Sequence, residues 1–234
     1  MTKPTLILIP GLLCDGIVWQ TVVDRLEGDF DLHVADLSKG DNLTRMAEDL
    51  LARYPGNLLV AGHSMGARVA MEMARIAPDR VRGMALLDTG MHPLKDGEPA
   101  RRQEIVDFAH REGMTALAAR WLPGMVNEAR HGDTALMAEL TAMVERMDAD
   151  LHERQIKALV DRPDASSYIA TLRCPVLLVV GRQDQWSPVS QHEDMLRLLP
   201  NADLRIVEDA GHFAPVEQPD VVAGILADWA EQAA

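Results

Sequence analysis

Leu58–Ala74 reads LLVAGHSMGARVAMEMA. An apolar run enters Gly-His-Ser-Met-Gly, and a run with helical spacing leaves it: Val69, Met73 and Ile76, with Ala70 and Ala74 for close packing. Alone, a Gly-x-Ser-x-Gly string is too common to carry much. Between a buried strand and a helix it predicts a sharp turn that lifts Ser64 out of the carboxyl edge of a sheet. Gly62 and Gly66 then remove Cβ atoms where helix and strand pass closest. Ser64 would stand at a helix N-terminus, where unpaired N–H groups and the helix dipole favour an anion. The competing reading is a small residue in a tight turn.

The alternation extends along the chain. Thr5–Ile9, Leu32–Leu37, Asn57–Gly62, Val81–Asp88, Cys174–Gly181 and Ala202–Glu208 read as strands. Most are continuously apolar, which suits strands buried on both faces. Ile17–Leu26, Asn42–Arg53, Met65–Ala77, Pro188–Leu199 and Gln218–Ala230 read as helices. The rhythm predicts an α/β fold: a parallel sheet with helices on both faces and right-handed crossovers. From Met91 to Thr171 no strand pattern occurs. Helical patterns fill the interval: EPARRQEIVDFAHRE, TALAARWL, DTALMAELTAMVERM, ADLHERQIKALVD and ASSYIATL. The chain thus divides into a core of residues 1–90 and 172–234 and an inserted helical cap, or lid, of residues 91–171. A long helical excursion packed elsewhere is the alternative.

The bulk properties narrow the function. A length of 234 residues fits one domain with an insert, and 47% apolar content supplies a core. A formal net charge of −13 argues against a nucleic-acid partner, since phosphate binding needs clustered Lys and Arg. Two cysteines, Cys14 and Cys174, make no disulfide framework, so a reducing compartment is expected. The opening MTKPTLILIPG is shorter in apolar residues than a secretory segment of about 7–15 or a membrane span of about 20. The expectation is a cytoplasmic protein with a small-molecule substrate, without membrane, cofactor or metal. No sequence feature speaks to oligomeric state.

A serine hydroxyl needs a base, and the base needs an orienting group. Sites of this strand–turn–helix kind take them in the order Ser, acid, His. GRQDQWSP places Asp184 beyond the run Val176–Val180, and EDAGHFAPVEQP places His212 beyond Leu204–Val207. Both emerge on the edge that carries Ser64, where open α/β sheets bind ligands. As alternatives, Asp184 is a turn residue and His212 caps the last helix. For an oxyanion, the backbone N–H of Met65 is one donor. The loop IPGLLCDG supplies the second, with Leu12 the choice and Gly11 allowing close approach.

Over almost its whole length the chain resembles the α/β-hydrolase superfamily. The likeness rests on PGLLCDGIVW, ADL, GHSMGARVAMEMA, RVRGMALLDTG, PVLLVVGRQDQWSP and AGHFAPVEQPDVV. It implies Ser64 as nucleophile, Asp184 as triad acid and His212 as base, with Leu12 and Met65 as oxyanion donors. The insert falls where the family carries its cap. Two departures stand out: Pro10-Gly11 replaces the family's usual His-Gly, and the family's first two strands are missing. A six-stranded, all-parallel sheet is therefore expected. The implied activity is serine hydrolysis of a small carboxylic ester, thioester or lactone through an acyl-enzyme. A carbon–carbon hydrolase or pyruvate-eliminating lyase on a carboxylated small molecule is the alternative, and a non-catalytic ligand-binding protein is the third reading.

Other residues have two readings each. Asp88 ends a strand and is the rival triad acid, though the loop of Asp184 matches better. His63 either touches substrate or supports its neighbours. Arg68, one turn beyond Ser64, either pairs with an acid of the body or meets a substrate carboxylate. The string Gly-x-Ser-x-Gly-x-Arg resembles enzymes of menaquinone synthesis and also occurs in plain esterases. Arg101, Arg102 and Arg120 are cap residues that either bind a carboxylate or form a solvated face. Trp121 and Trp186 either line the pocket or pack in the core. Cys14 reads as a small buried residue, and Met71 and Met73 as packing. His92, His110, His131, His152 and His192 lack metal-ligand spacing.

Overall fold

The computed structural model describes residues 3–234, so residues 1 and 2 of the expected core lie outside it. One sheet contains β1 (Thr5–Ile9), β2 (Asp31–Val34), β3 (Leu58–His63), β4 (Val81–Leu87), β5 (Val176–Gly181) and β6 (Ala202–Val207). Its order is β2-β1-β3-β4-β5-β6, and every adjacent pair is parallel. The expected six-stranded parallel sheet is the one the chain builds. The continuously apolar runs occupy its middle. The edges are the exceptions: β2 is half-exposed and β6 alternates.

Ten helices accompany the strands among the described residues. In chain order they are α1 (Gln20–Leu26), α2 (Leu43–Arg53), α3 (Met65–Ile76), α4 (Glu98–Glu112), α5 (Met114–Trp121), α6 (Thr134–Glu145), α7 (Ala149–Val160), α8 (Val189–Leu198), α9 (Ala214–Glu217) and α10 (Pro219–Ala233). Successive strand side chains enter opposite layers. Leu6 and Leu8 pack with Trp19 and Val22 near α1 and with Leu226 and Trp229 of α10. Ile7 and Ile9 pack with Leu50 of α2, Val69 and Met73 of α3 and Met195 of α8. Helices α4 to α7 all fall between β4 and β5.

Local chemistry explains where element bounds depart from expectation. The helix expected from Ile17 is split, because the Asp15 carboxylate accepts from Ile17 N and caps a 3-10 turn, Gly16–Trp19, ahead of α1. Strand β2 stops at Val34, and beyond it Asp36 turns the chain by accepting from Ser38 N. Strand β5 starts at Val176 rather than Cys174, after Pro175, which has no N–H to give a ladder. Ala165–Leu172 is two 3-10 turns instead of a helix. There Asp164 takes both the backbone N–H and the hydroxyl of Ser166, competing with helical bonds.

The sheet order reverses between β1 and β3, which opens a crevice at their carboxyl ends. There α3 begins in direct backbone contact with the sheet. A Cβ at position 66 would sit 2.1 Å from the carbonyl oxygen of Ile9, and one at 62 would sit 2.4 Å from that of Gly66. No side chain moves to relieve such contacts, since the opposing atoms are backbone. Gly66→Ala is therefore expected to cost at least about 2 kcal/mol in urea unfolding. Gly224→Ala, in the middle of α10 with open space around it, should instead gain about 0.5–1 kcal/mol. Equal effects at the two positions would contradict the contact argument.

Candidate active site

Ser64 opens α3 without capping it. A serine at this position ordinarily accepts from an N–H of the first turn. Here no such bond forms, and the backbone takes φ 54, ψ −113. A non-glycine residue held there is strained. The hydroxyl turns away from the helix and lies 2.8 Å from Nε2 of His212. The carbonyl of Ser64 accepts from the Thr89 hydroxyl at 3.0 Å, and Thr89 N donates to Nε2 of buried His192 at 3.2 Å. The end of β4 thus holds the turn after β3.

His212 and Asp184 arrive from the ends of β6 and β5. Nδ1 of His212 donates to Oδ2 of Asp184 at 2.8 Å. The other carboxylate oxygen accepts from the N–H groups of Trp186 and Ser187, both at 2.8 Å. Burial alone would raise the pKa of Asp184. The His212 ring and these N–H groups outweigh it and hold the carboxyl below its usual range. Asp88, the rival acid, does not reach Nδ1 as a partner. It accepts from Gly181 N at 2.9 Å, and burial with the nearby Asp184 charge raises its pKa well above the ordinary value. It lies buried beneath the site, bonded to the backbone of β5.

His63 supports the base instead of standing free for substrate. Its Nε2 donates to the backbone oxygen of His212 at 2.7 Å, and burial pushes its pKa to about 3. Its ring also reaches the cavity wall. Glu217, five residues past His212, is a clamp that sequence reading missed. One oxygen accepts from Gly211 N and Phe213 N, and the other from Asn127 N at 2.9 Å. The buried carboxylate therefore ties both flanks of His212 to the segment after α5. An acid just ahead of a helix-opening Gln-Pro was the available signal, but nothing local indicated its burial or its partners.

A cavity of about 600 Å³ opens over Ser64, lined by core and insert alike. Leu12 and Met65 both border it. Met65 is the first residue of α3, so its N–H has no acceptor within the helix. Trp121 lines the cavity and packs edge-on against Phe213, with centroids 6.0 Å apart. Trp186 also borders it and is 54% exposed, so it is no core residue. Cys14 is buried and its thiol pKa is raised by burial. Met71 and Met73 are fully buried.

Arg68 has no acidic partner among the described residues; its guanidinium donates only to the His92 carbonyl, at 3.3 Å. The body salt bridge expected for it as one reading does not form. Arg162 donates to the same carbonyl at 3.2 Å and grips Glu98 with two bonds, while Arg102 bonds Glu98 at 2.7 Å. Burial would raise the Glu98 pKa, but these arginines hold it at about 2. Burial and the charges of Arg162 and Arg102 lower Arg68 to about 9, which leaves it charged at neutral pH. Arg101 and Arg120 stand on the cavity wall as well. Elsewhere, ligand atoms of exposed His110, Asp150 and Glu153 lie within 4.8 Å of one another, and none of the three lines the cavity.

Residues 6–225 match the alpha/beta hydrolase family. The chain belongs to that family. It is 26% identical to a pimeloyl-[acyl-carrier protein] methyl ester esterase of Vibrio atlanticus (strain LGP32), over 98% of this chain and 95% of that protein. A thermophilic esterase from Thermogutta terrifontis, in a malate-bound structure, superposes with a TM-score of 0.90 at 25% identity, over 99% and 91% of the two chains. The enol-lactonase from Burkholderia xenovorans LB400 shares the fold with a TM-score of 0.89 at 20% identity, over 99% and 92%. Among the described residues of this family member, no helix is long and apolar enough to cross a membrane.

Three buried histidines bind stability to pH. Burial lowers the pKa of His63 to about 3 and of His152 and His192 to about 4. The unfolded chain protonates each below about 6.5. Stability present above that value is therefore lost as pH falls toward the folded pKa values, by about 1.4 kcal/mol per histidine per pH unit. Asp88 acts oppositely, since its raised pKa keeps a proton that the unfolded chain releases. His192→Gln removes one histidine from the sum. Its unfolding free energy should vary less steeply than that of the parent between about pH 6.5 and 4.5, by about one proton. Urea titrations across that range with identical slopes would show that folded His192 already carries its charge.

Proposed function

We propose that the chain is a serine hydrolase that cleaves small carboxylic esters, thioesters or lactones through an acyl-enzyme on Ser64. The hydrogen-bonded run from Ser64 through His212 to Asp184, two links of 2.8 Å each, carries this reading. His212 Nε2 takes the hydroxyl proton as Ser64 Oγ attacks the carbonyl carbon. The oxyanion sits between the N–H groups of Leu12 and Met65. His212 then protonates the departing alcohol or thiol, and Asp184 stabilises the charged ring meanwhile. Water, deprotonated by His212, attacks the acyl carbon, and Ser64 leaves as the restored hydroxyl. These steps call for no cofactor. Similarity to two proteins whose names describe ester hydrolysis supports the same chemistry. Residues 91–171 serve as the lid that closes the cavity from above.

The arginine cluster points to substrates that carry a carboxylate. Two guanidiniums, Arg102 and Arg162, share one acid, Glu98, and a third, Arg68, bonds only a backbone carbonyl, in a chain whose formal net charge is −13. An anion beside Arg68 would supply the missing counter-charge, one helical turn from Ser64. A carbon–carbon hydrolase or a lyase would use the same groups, and failure on every ester with turnover of a carboxylated carbon acid would favour it.

Ser64→Ala should lower kcat by about 10⁴-fold or more with the melting temperature preserved. A fluorophosphonate probe should label Ser64 in the parent protein. Turnover that survives the substitution ends the proposal. Arg68→Met should lower the preference for a dicarboxylic acid monomethyl ester over a neutral ester of equal length by about tenfold. An unaltered ratio would remove Arg68 from substrate recognition.

A further inference from the structure

The loop after β1 is held from outside the core. Leu13 is fully buried and has φ 56, in the left-handed region. Its N–H donates to Oε1 of Gln155, on α7, at 2.9 Å across 142 residues of sequence. Two residues on, the Asp15 carboxylate is gripped by Arg146, just past α6, with bonds of 2.9 and 2.7 Å. Around the first anchor the chain folds back on itself: Cys14 N donates to Gly11 O at 3.3 Å, which encloses Leu12 and Leu13 in a tight turn. Gly11 lies against the nucleophile, and a Cβ there would stand 3.2 Å from the Ser64 Cβ.

We propose that Gln155 is a positioning residue for the oxyanion hole, so that docking of the inserted segment sets the direction of the Leu12 N–H. A left-handed leucine keeps its conformation only while its surroundings impose it. Gln155 is buried, and its amide oxygen is the acceptor that satisfies the Leu13 N–H. Loss of that acceptor leaves a buried donor without a partner, and rotation of the Leu12–Leu13 peptide relieves it. That rotation changes ψ of Leu12 and φ of Leu13, and the Gly11–Cys14 turn carries the change to the Gly11–Leu12 peptide, whose N–H swings off the site where negative charge develops. The neighbouring α7 residues His152, Ile156 and Leu159 line the cavity, so one helix both walls the substrate and fixes the donor. Substrate that presses α7 onto the core would thereby complete its own oxyanion hole.

This inference rests on the hydrolase reading, and the experiment separates the two. Steady-state kinetics on the best ester are compared for the parent, Gln155→Leu and Gln155→Glu, with melting temperatures to establish folding. A trifluoromethyl ketone analogue of the ester serves as transition-state probe. Gln155→Leu should lower kcat by about tenfold or more with KM little changed, and weaken the ketone by a similar factor. Gln155→Glu, which keeps an acceptor oxygen, should recover most of both. A kcat within about twofold of the parent in folded Gln155→Leu overturns the proposal. So does a loss of kcat without weakened ketone binding, or a Gln155→Glu variant as impaired as the leucine. If Gln155→Leu does not fold, Gln155→Glu alone decides by the same two readouts. A parent protein that turns over no ester and escapes the fluorophosphonate probe defeats the hydrolase reading itself.

Discussion

Backbone packed on backbone, with no side chain between, is the constraint from which the site follows. The first turn of α3 touches the end of β1 through Gly66, and β3 touches that turn through Gly62. A second such contact lies across the sheet: a Cβ at Gly181 would meet the carbonyl oxygen of Gly211 at 2.1 Å. The first contact brings Ser64 to the crevice, and the second brings the His212 loop onto the loop of Asp184. Without side chains to act as compressible spacers, the two loop pairs have little freedom to slide. The 2.8 Å links among Ser64, His212 and Asp184 inherit their definition from that.

Such closeness is bought with strained dihedrals. Four non-glycine residues have positive φ among the described residues: Leu13, Ser64, Asp88 and Asp209. Each follows a different strand, β1, β3, β4 and β6, and all four stand at the carboxyl edge. Each is expected to cost on the order of 1–3 kcal/mol. The layers that pack Ile7, Ile9, Val60 and Leu178 on one face and Leu6, Leu8 and Val179 on the other offset that cost. Polar clamps then fix the strained loops one by one: Gln155 at Leu13, Thr89 at Ser64, Gly181 N at Asp88 and Glu217 around His212.

What sequence could disclose follows from how far each interaction reaches. The strands, α2, α3 and α10 were legible, because apolar periodicity and caps are local. Ser64, Asp184 and His212 were legible as strand-end residues in the right order, and the structure brings the three together. Gln155 was invisible, since its meaning depends on an N–H that lies 142 residues away. Arg68 stands out in the sequence, but its lack of an acidic partner does not, because partners of a long side chain are set by tertiary packing. Ala165–Leu172 misled, since the competition of Asp164 for the Ser166 N–H depends on side-chain geometry that periodicity does not record.

Charge separates the two halves of the task. The acids of the chain outnumber its Lys and Arg by 13, yet the cavity wall carries Arg68, Arg101, Arg102, Arg120 and Arg162 against the acids Glu98 and Glu104. An anion approaching the outer surface meets repulsion; one that enters the cavity meets unneutralised guanidinium in a setting partly shielded from water, where the attraction is stronger. All of those arginines but Arg68 belong to the segment between β4 and β5, while every group of the proposed proton relay belongs to the sheet's own loops. The inserted helices can therefore alter what is bound without moving what reacts. The link through Gln155 limits that freedom, because a shift of α7 large enough to reshape the cavity also pulls on Leu13.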